Sequence, residues 1–332
     1  MRKVGAFVVM VLLGAAVAGA GLFWLGRDRE PRSARGVVLH LSDNEQLAVG
    51  EMTEEALLAL LSLYAEAVAE PALQPYIEPV TKGVIPGLCG RKLDLSATAA
   101  AVMLAAPDSV VPAQYVPIYP QSLYDYARYP IYQGNPARQE IALVINVAWG
   151  NENLPPMLET LRREQVRASF FLVGRWVAKN EDLVRAIAAD GHEFGNHAYS
   201  DPHLPQLDRE GIAREITATS EAIQRFVDAP VRFFSPPYND FDQKVLDVAS
   251  ELGYLTVLCS LDTADWLRPG VDRIVRRIVP RAHNGAIVLM HPTEQTPAAL
   301  EQIIVGLKET GYRLVPVGEL IAPLPGDDQI PR

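Results

Sequence analysis

The chain has 332 residues, 49% apolar and 21% charged, the balance of an ordinary globular protein rather than a disordered one. Its formal net charge of −10, without a lysine or arginine cluster, excludes a phosphate-rich partner such as nucleic acid, because nothing is present to replace condensed counterions. Only Cys89 and Cys259 occur, so a disulfide framework and a CxxC metal or redox motif are excluded; two buried thiols are expected, with one long-range disulfide as the alternative.

Arg2 and Lys3 precede an uncharged apolar run from Val4 to Leu25, closed by Gly26 and the charged Arg27-Asp28-Arg29-Glu30. Such a run approaches the roughly 20 residues that span hydrocarbon, and basic residues on its N-terminal side keep that end cytoplasmic. Residues 1–30 therefore read as a signal anchor or transmembrane segment that leaves the main domains outside the membrane, in the cell envelope. Ala18-Gly19-Ala20 offers a cleavage site, and secretion after cleavage is the alternative. Because Leu22-Phe23-Trp24-Leu25 continues the apolar run past that site, an uncleaved anchor is favoured.

After a short polar tether, residues 37–118 read as a small α+β module. Thr53 is placed to cap a helix with Glu54 and Glu55 in its first turn and Leu57, Leu58, Leu61, Tyr64, Ala65 and Val68 at helical spacing, stopped by Pro71. A second, alanine-rich helix is predicted from Ser96 to just before Pro107. Residues 119–138, rich in tyrosine and proline, read as an interdomain linker lying on a surface.

From residue 139 to 322 short apolar runs alternate with amphipathic helices, the pattern of parallel βα units, and a tail follows over 323–332. Seven strands are predicted, over 141–147, 168–173, 192–195, 231–235, 255–260, 286–290 and 313–317. Helices are predicted between them over 153–163, 180–189, 208–226, 242–252, 272–278 and 297–310, with Pro155 and Pro156 in the first turn of the first and Gly191, Gly253 and Gly311 closing three of them. This alternation fits both a doubly wound open sheet and a distorted barrel.

In parallel α/β folds functional groups gather at the C-terminal ends of the strands. The first exit here is Ala148-Trp149-Gly150-Asn151-Glu152, the third His197-Ala198-Tyr199-Ser200-Asp201, the fourth Ser235-Pro236-Pro237-Tyr238-Asn239-Asp240 and the fifth Asp262-Thr263-Ala264-Asp265-Trp266; the sixth strand ends on His291. Histidines and carboxylates at several exits of one sheet point to a hydrolytic site.

The order Gly191-His192-Glu193-Phe194-Gly195-Asn196-His197, Pro236-Pro237-Tyr238, Asp262-Thr263-Ala264-Asp265-Trp266 and Leu289-Met290-His291 resembles the polysaccharide deacetylases of the NodB-type carbohydrate esterase family. The resemblance implies a distorted (β/α) barrel of about seven parallel strands. It also implies an amide hydrolase in which a divalent metal polarises the acetamide and its attacking water, a carboxylate takes the water's proton and a histidine protonates the leaving amine. The family's Thr-Phe-Asp-Asp-Gly motif aligns on Asn146-Val147-Ala148-Trp149-Gly150, so the base is replaced by Ala148 and a metal-ligand aspartate by Trp149. The second metal histidine is replaced by Asp201, and the arginine before the two prolines by Ser235.

What the resemblance leaves is His291 as the acid, with Asp262 as its orienting partner, and His197 with Asp201 as an incomplete metal set for which zinc is the expected ion, weakly held or absent. Glu152 is the substitute base, and Asn151, Glu152 and His203 are the groups available to swing in as further ligands. Trp149, Pro236, Pro237, Tyr238, Trp266 and Leu289, with Tyr199 beside them, are expected to bind substrate as a sugar-shaped groove. The first exit and the lead-in Ile131-Tyr132-Gln133-Gly134-Asn135-Pro136 resemble a sporulation-associated branch of the family, and residues 85–95 resemble short modules beside peptidoglycan-processing domains. The leading expectation is a degenerate enzyme that binds peptidoglycan or another N-acetylated glycan. An active deacetylase with a rearranged metal shell and a non-enzymatic envelope or spore-assembly scaffold are the alternatives.

Overall fold

The structure is a computed structural model that describes residues 36–42 and 45–323; the expected anchor over 1–30 lies outside them. Among the described residues no helix is long and apolar enough to cross a membrane. The chain divides into two compact units, one containing the stretch up to Ala72 together with Cys89–Tyr119, the other Leu73–Leu88 and Pro120 onward.

In the smaller unit, strands Glu45–Val49, Val37–Ser42 and Val110–Pro112 form one sheet in that order. Thr53 caps helix Glu54–Ala65 by accepting from the Ala56 N–H, as expected. The second helix, Leu95–Leu104, starts one residue earlier than predicted and is capped by Asp94 accepting from the Ala97 N–H. Leu39, Leu57, Leu61 and Val102 make a core of this unit's own.

The larger unit carries eight parallel strands: β1 Glu140–Val147, β2 Ser169–Leu172, β3 Glu193–Asn196, β4 Phe233–Phe234, β5 Leu255–Thr256, β6 Leu261–Asp262, β7 Ile287–Met290 and β8 Arg313–Val315. Their order is β5-β4-β3-β2-β1-β7-β6, with β8 on the first half of β1. Ala142 pairs with both β7 and β8, so β8 shares the β2 edge of β1. The predicted fifth strand, 255–260, stops at Thr256, and β6, which starts just past the predicted span, stands at the opposite end of the sheet order, so that residues 257–260 link the two edges. This is the distorted barrel form, with seven strands on one path. The predicted last strand stops at Val315, because Pro316 takes the N-cap of helix Val317–Ile321.

Alternation along β1 sets the two layers of the core. Ile141, Leu143, Ile145 and Val147 face the helices, whereas Ala142 and Val144 face the barrel interior with Phe171, Phe233, Ile287 and Leu289. Burying Phe170, Phe171 and Phe234 completely contributes about 1.5–3 kcal/mol each. Helices Leu154–Arg163, Glu181–Ala189, Arg209–Gln224, Gln243–Glu251, Val271–Ile278 and Thr296–Glu309 follow the predicted spans closely. Asp208 and Asp242 cap two of them, at 2.7 Å from Gly211 N and 3.0 Å from Val245 N. Asn180 makes no cap bond and instead donates to Trp176 O at 2.7 Å.

Two expectations about the lead-in are corrected. Residues 73–88, expected in the small module, and 120–138, expected as a surface linker, belong to the barrel unit. Ile131 is wholly buried in the barrel interior, donates its N–H to Thr256 O at 2.8 Å and bridges Val257. Where β5 breaks away from the sheet, its backbone needs a partner, and one β-branched residue set among tyrosines and prolines provides it. Cys89 and Cys259 are free and each partly exposed, rather than two fully buried thiols; burial pushes the Cys259 thiol up to about 12.

Candidate functional site

The strand exits surround a cavity of about 470 Å³. Of the expected site residues it brings together Trp149, His197, Asp201, Tyr238, Trp266, Leu289, His291 and Asp262, along with Ala148. Asn146 and Asn239, which the sequence reading did not single out as site residues, also line it.

At the first exit Gly150 adopts φ +81°, and a Cβ there would stand 2.1 Å from Pro292 O. Only glycine permits so tight a turn, and it leaves the Trp149 side chain 47% exposed at the cavity mouth. The indole lies parallel to the His291 imidazole, ring centres 6.4 Å apart.

At the third exit buried Asn196 braces the loop, donating to Ile216 O at 2.7 Å and Ser220 Oγ at 2.8 Å and accepting from Ala198 N at 2.9 Å. His197 Nδ1 lies 2.7 Å from Ser235 O. A carbonyl only accepts, so Nδ1 carries the proton and Nε2 keeps its lone pair toward the cavity. Burial pushes the His197 imidazole down to about 4, so it is neutral near pH 7. The Tyr238 hydroxyl donates to Asp201 Oδ2 at 3.1 Å.

The partner of His291 is Asp265, not Asp262 as expected. Asp265 is completely buried and accepts from His291 Nδ1 at 2.9 Å, from His291 N at 2.7 Å and from Thr296 Oγ1 at 2.8 Å. Asp262 instead accepts from Ala264 N at 2.7 Å, stabilising its own turn, and presents its side chain to the cavity. Both aspartates lie in the same five-residue motif, and spacing alone did not separate their roles.

Pro236 and Pro237 are buried and do not border the cavity, contrary to expectation. They turn the chain so that Tyr238, at φ 61°, stands on the rim with 61% of its surface exposed. Glu152 is exposed and outside the cavity, so it is not placed as a substitute base. Asn151 is tied elsewhere, accepting from Trp176 Nε1 at 2.7 Å and donating to Asn180 at 2.6 Å. His203 bonds Asp240 at 2.8 Å and stacks on Tyr238. Tyr199 packs against Gly174, where an added Cβ would stand 2.4 Å from its ring, and does not line the cavity. Ala198, Asp201, Tyr238, Asn239 and Ala264 all have φ between 50° and 61°. Such non-glycine left-handed residues cost about 1–3 kcal/mol each and concentrate where a site fixes its loops.

A catalytic zinc centre takes three protein ligands and keeps one open position. Of the expected ligand set only His197 and Asp201 border the cavity, Trp149 has no acceptor to offer as a third, and among the described residues no group of three potential ligands is placed to hold a metal ion. The residues do not fit the family's metal centre.

The sequence profile of the family described as polysaccharide deacetylase matches residues 133–257. The chain is 37% identical over 173 residues to a peptidoglycan-N-acetylglucosamine deacetylase of Bacillus cereus, a match covering 50% of this chain and 81% of that relative. This chain belongs to the polysaccharide deacetylase family. It is also 43% identical over 192 residues to the uncharacterized protein YlxY of Bacillus subtilis, covering 58% of this chain and 60% of that relative, less than two thirds of its length. Among solved structures it is similar to BA3943 of Bacillus anthracis, described as a CE4 family pseudoenzyme, at 33% identity and a TM-score of 0.67 over 82% of this chain and 96% of that one. A mutant of BA3943 is described as having restored enzymatic activity.

Proposed function

We propose that this chain is a membrane-anchored, extracytoplasmic member of the family that binds an N-acetylated glycan of peptidoglycan type and does not hydrolyse it. The observation that carries the reading is the first exit, where Ala148 and Trp149 stand at the cavity wall. Amide hydrolysis needs a group to deprotonate water and a charge to stabilise the tetrahedral oxyanion. An alanine accepts no proton and an indole ligates no metal, so the acid side, His291 on Asp265, has no reaction to complete. The wall of Trp149, Tyr238 and Trp266 suits the apolar faces and polar edges of sugar rings. The peptidoglycan deacetylase relatives support the choice of polymer, and the apolar run over 4–25 supports export. Incubating the purified protein with insoluble peptidoglycan tests the reading: it should sediment with the polymer. If it stays in solution while an active peptidoglycan deacetylase treated in parallel sediments, the binding role is lost.

A further inference from the structure

The cavity presents two carboxylates and an unprotonated ring nitrogen with no lysine or arginine to answer them. Asp201 and Asp262 present carboxylates. His197 spends its Nδ1 proton on Ser235 O behind it, which leaves its Nε2 lone pair available to the cavity. Asn146, only 5% exposed, borders the same space, with its Oδ1 unpartnered and closed off from the cavity. The Tyr238 hydroxyl proton is already given to Asp201. No lysine or arginine lines the cavity; the cation whose charge reaches Tyr238 is Arg175, which does not border it, and Asp240 with His203 lies against Tyr238 outside the lining. Trp149, Trp266 and Tyr238 form the walls, and the faces of such rings attract positive charge.

An acetamide brings one N–H and a carbonyl that requires a donor of its own. An ammonium brings three N–H donors and a positive charge, which answer the carboxylates and the aromatic walls together. We infer that the deep part of this cavity takes a protonated primary amine, so that the unit seated there is a glucosamine-type sugar with a free amino group. The inference rests on the reading of the cleft as a glycan site and names the unit it selects: within a mostly acetylated polymer, the protein stops where an acetyl group has already been removed.

The test is calorimetric titration of the whole protein, near neutral pH and about 0.15 M salt, with a glucosamine oligomer and the N-acetylated oligomer of equal length. The free-amine oligomer is expected to bind about tenfold more tightly, before and after treatment with a chelator. Trp149→Ala and Asp262→Asn should each reduce that preference to about twofold, while Trp149→Phe, which keeps an aromatic wall, should retain most of it. Equal or tighter binding of the N-acetylated oligomer overturns the inference and leaves the glycan reading standing. A preference that survives both substitutions reflects general attraction to an acidic protein and also overturns it. Binding of neither oligomer removes the glycan reading together with the inference.

Discussion

The Trp149 indole and the His291 imidazole lie parallel to within 5°, 6.4 Å apart at their centres, so the indole forms a wall of the cavity beside that histidine. Replacing Trp149 by alanine should weaken glycan binding by about 1–3 kcal/mol, as for an aromatic anchor at an interface. Trp149 is 47% exposed, so little cavity is created and the melting temperature should hardly move. Titration and calorimetry on the same sample check this. A fall in melting temperature with unchanged binding would make Trp149 a packing residue.

Asp265 and Asp262 are separable by stability. Asp265→Asn deprives His291 and Thr296 of a completely buried carboxylate and should cost about 2–3 kcal/mol. Asp262→Asn keeps an acceptor for Ala264 N and should cost under about 1 kcal/mol. Denaturant unfolding of the two variants reads the difference directly, and the reverse order would restore Asp262 as the partner of His291.

Burial pushes the His192 imidazole down to about 4 from the ordinary 6.5; its Nδ1 accepts from Ala168 N at 3.2 Å and its Nε2 has no partner. The folded pKa is below the unfolded one, so the unfolded chain takes the proton first. The contribution is intact above pH 6.5 and is lost as pH falls toward 4, by about 1–2 kcal/mol at pH 5. His197 acts in the same direction, whereas Glu193, raised to about 7 by burial, opposes them because its neutral form is favoured at low pH. His192→Gln should therefore lose less stability than the wild type between pH 7 and pH 5 in urea titrations. An identical loss would show that His192 does not titrate on unfolding.

Two protein ligands predict that the protein purified without chelator carries less than about one equivalent of tightly bound zinc. Chelation should leave the melting temperature unchanged, since little binding energy is withdrawn from the folded state. Stoichiometric zinc that disappears in His197→Ala and Asp201→Ala would reveal a rearranged centre and revive the active reading.

The barrel was legible in the sequence because its strands are short apolar runs and its helices begin on caps such as Asp208 and Asp242. Local signals failed where the partner was distant in sequence. Ile131 is recognisable only once the end of β5 at Thr256 and Val257 lies beside it, and the end of the predicted 255–260 strand at Thr256 depends on which edges those residues meet. At the site, motif order named most of the cavity lining but not its wiring. Asp262 and Asp265 are three positions apart, and only the turn at Ala264 decides which carboxylate reaches His291. Asn146 was hidden in an otherwise apolar strand, where its place on the interior face beyond Ala142 and Val144 was the available signal.

Release of acetate from N-acetylated chitooligosaccharide and peptidoglycan, measured on protein whose binding to the same glycans is recorded in parallel, is the most direct test of the account. The wild type should bind and release no acetate above background. The fourfold variant Ala148→Asp, Trp149→Asp, Asp201→His and Ser235→Arg should regain measurable release by rebuilding the base and metal set around His291 and Asp265. Acetate release by the wild type that is lost in Glu152→Gln or on chelation would contradict the account.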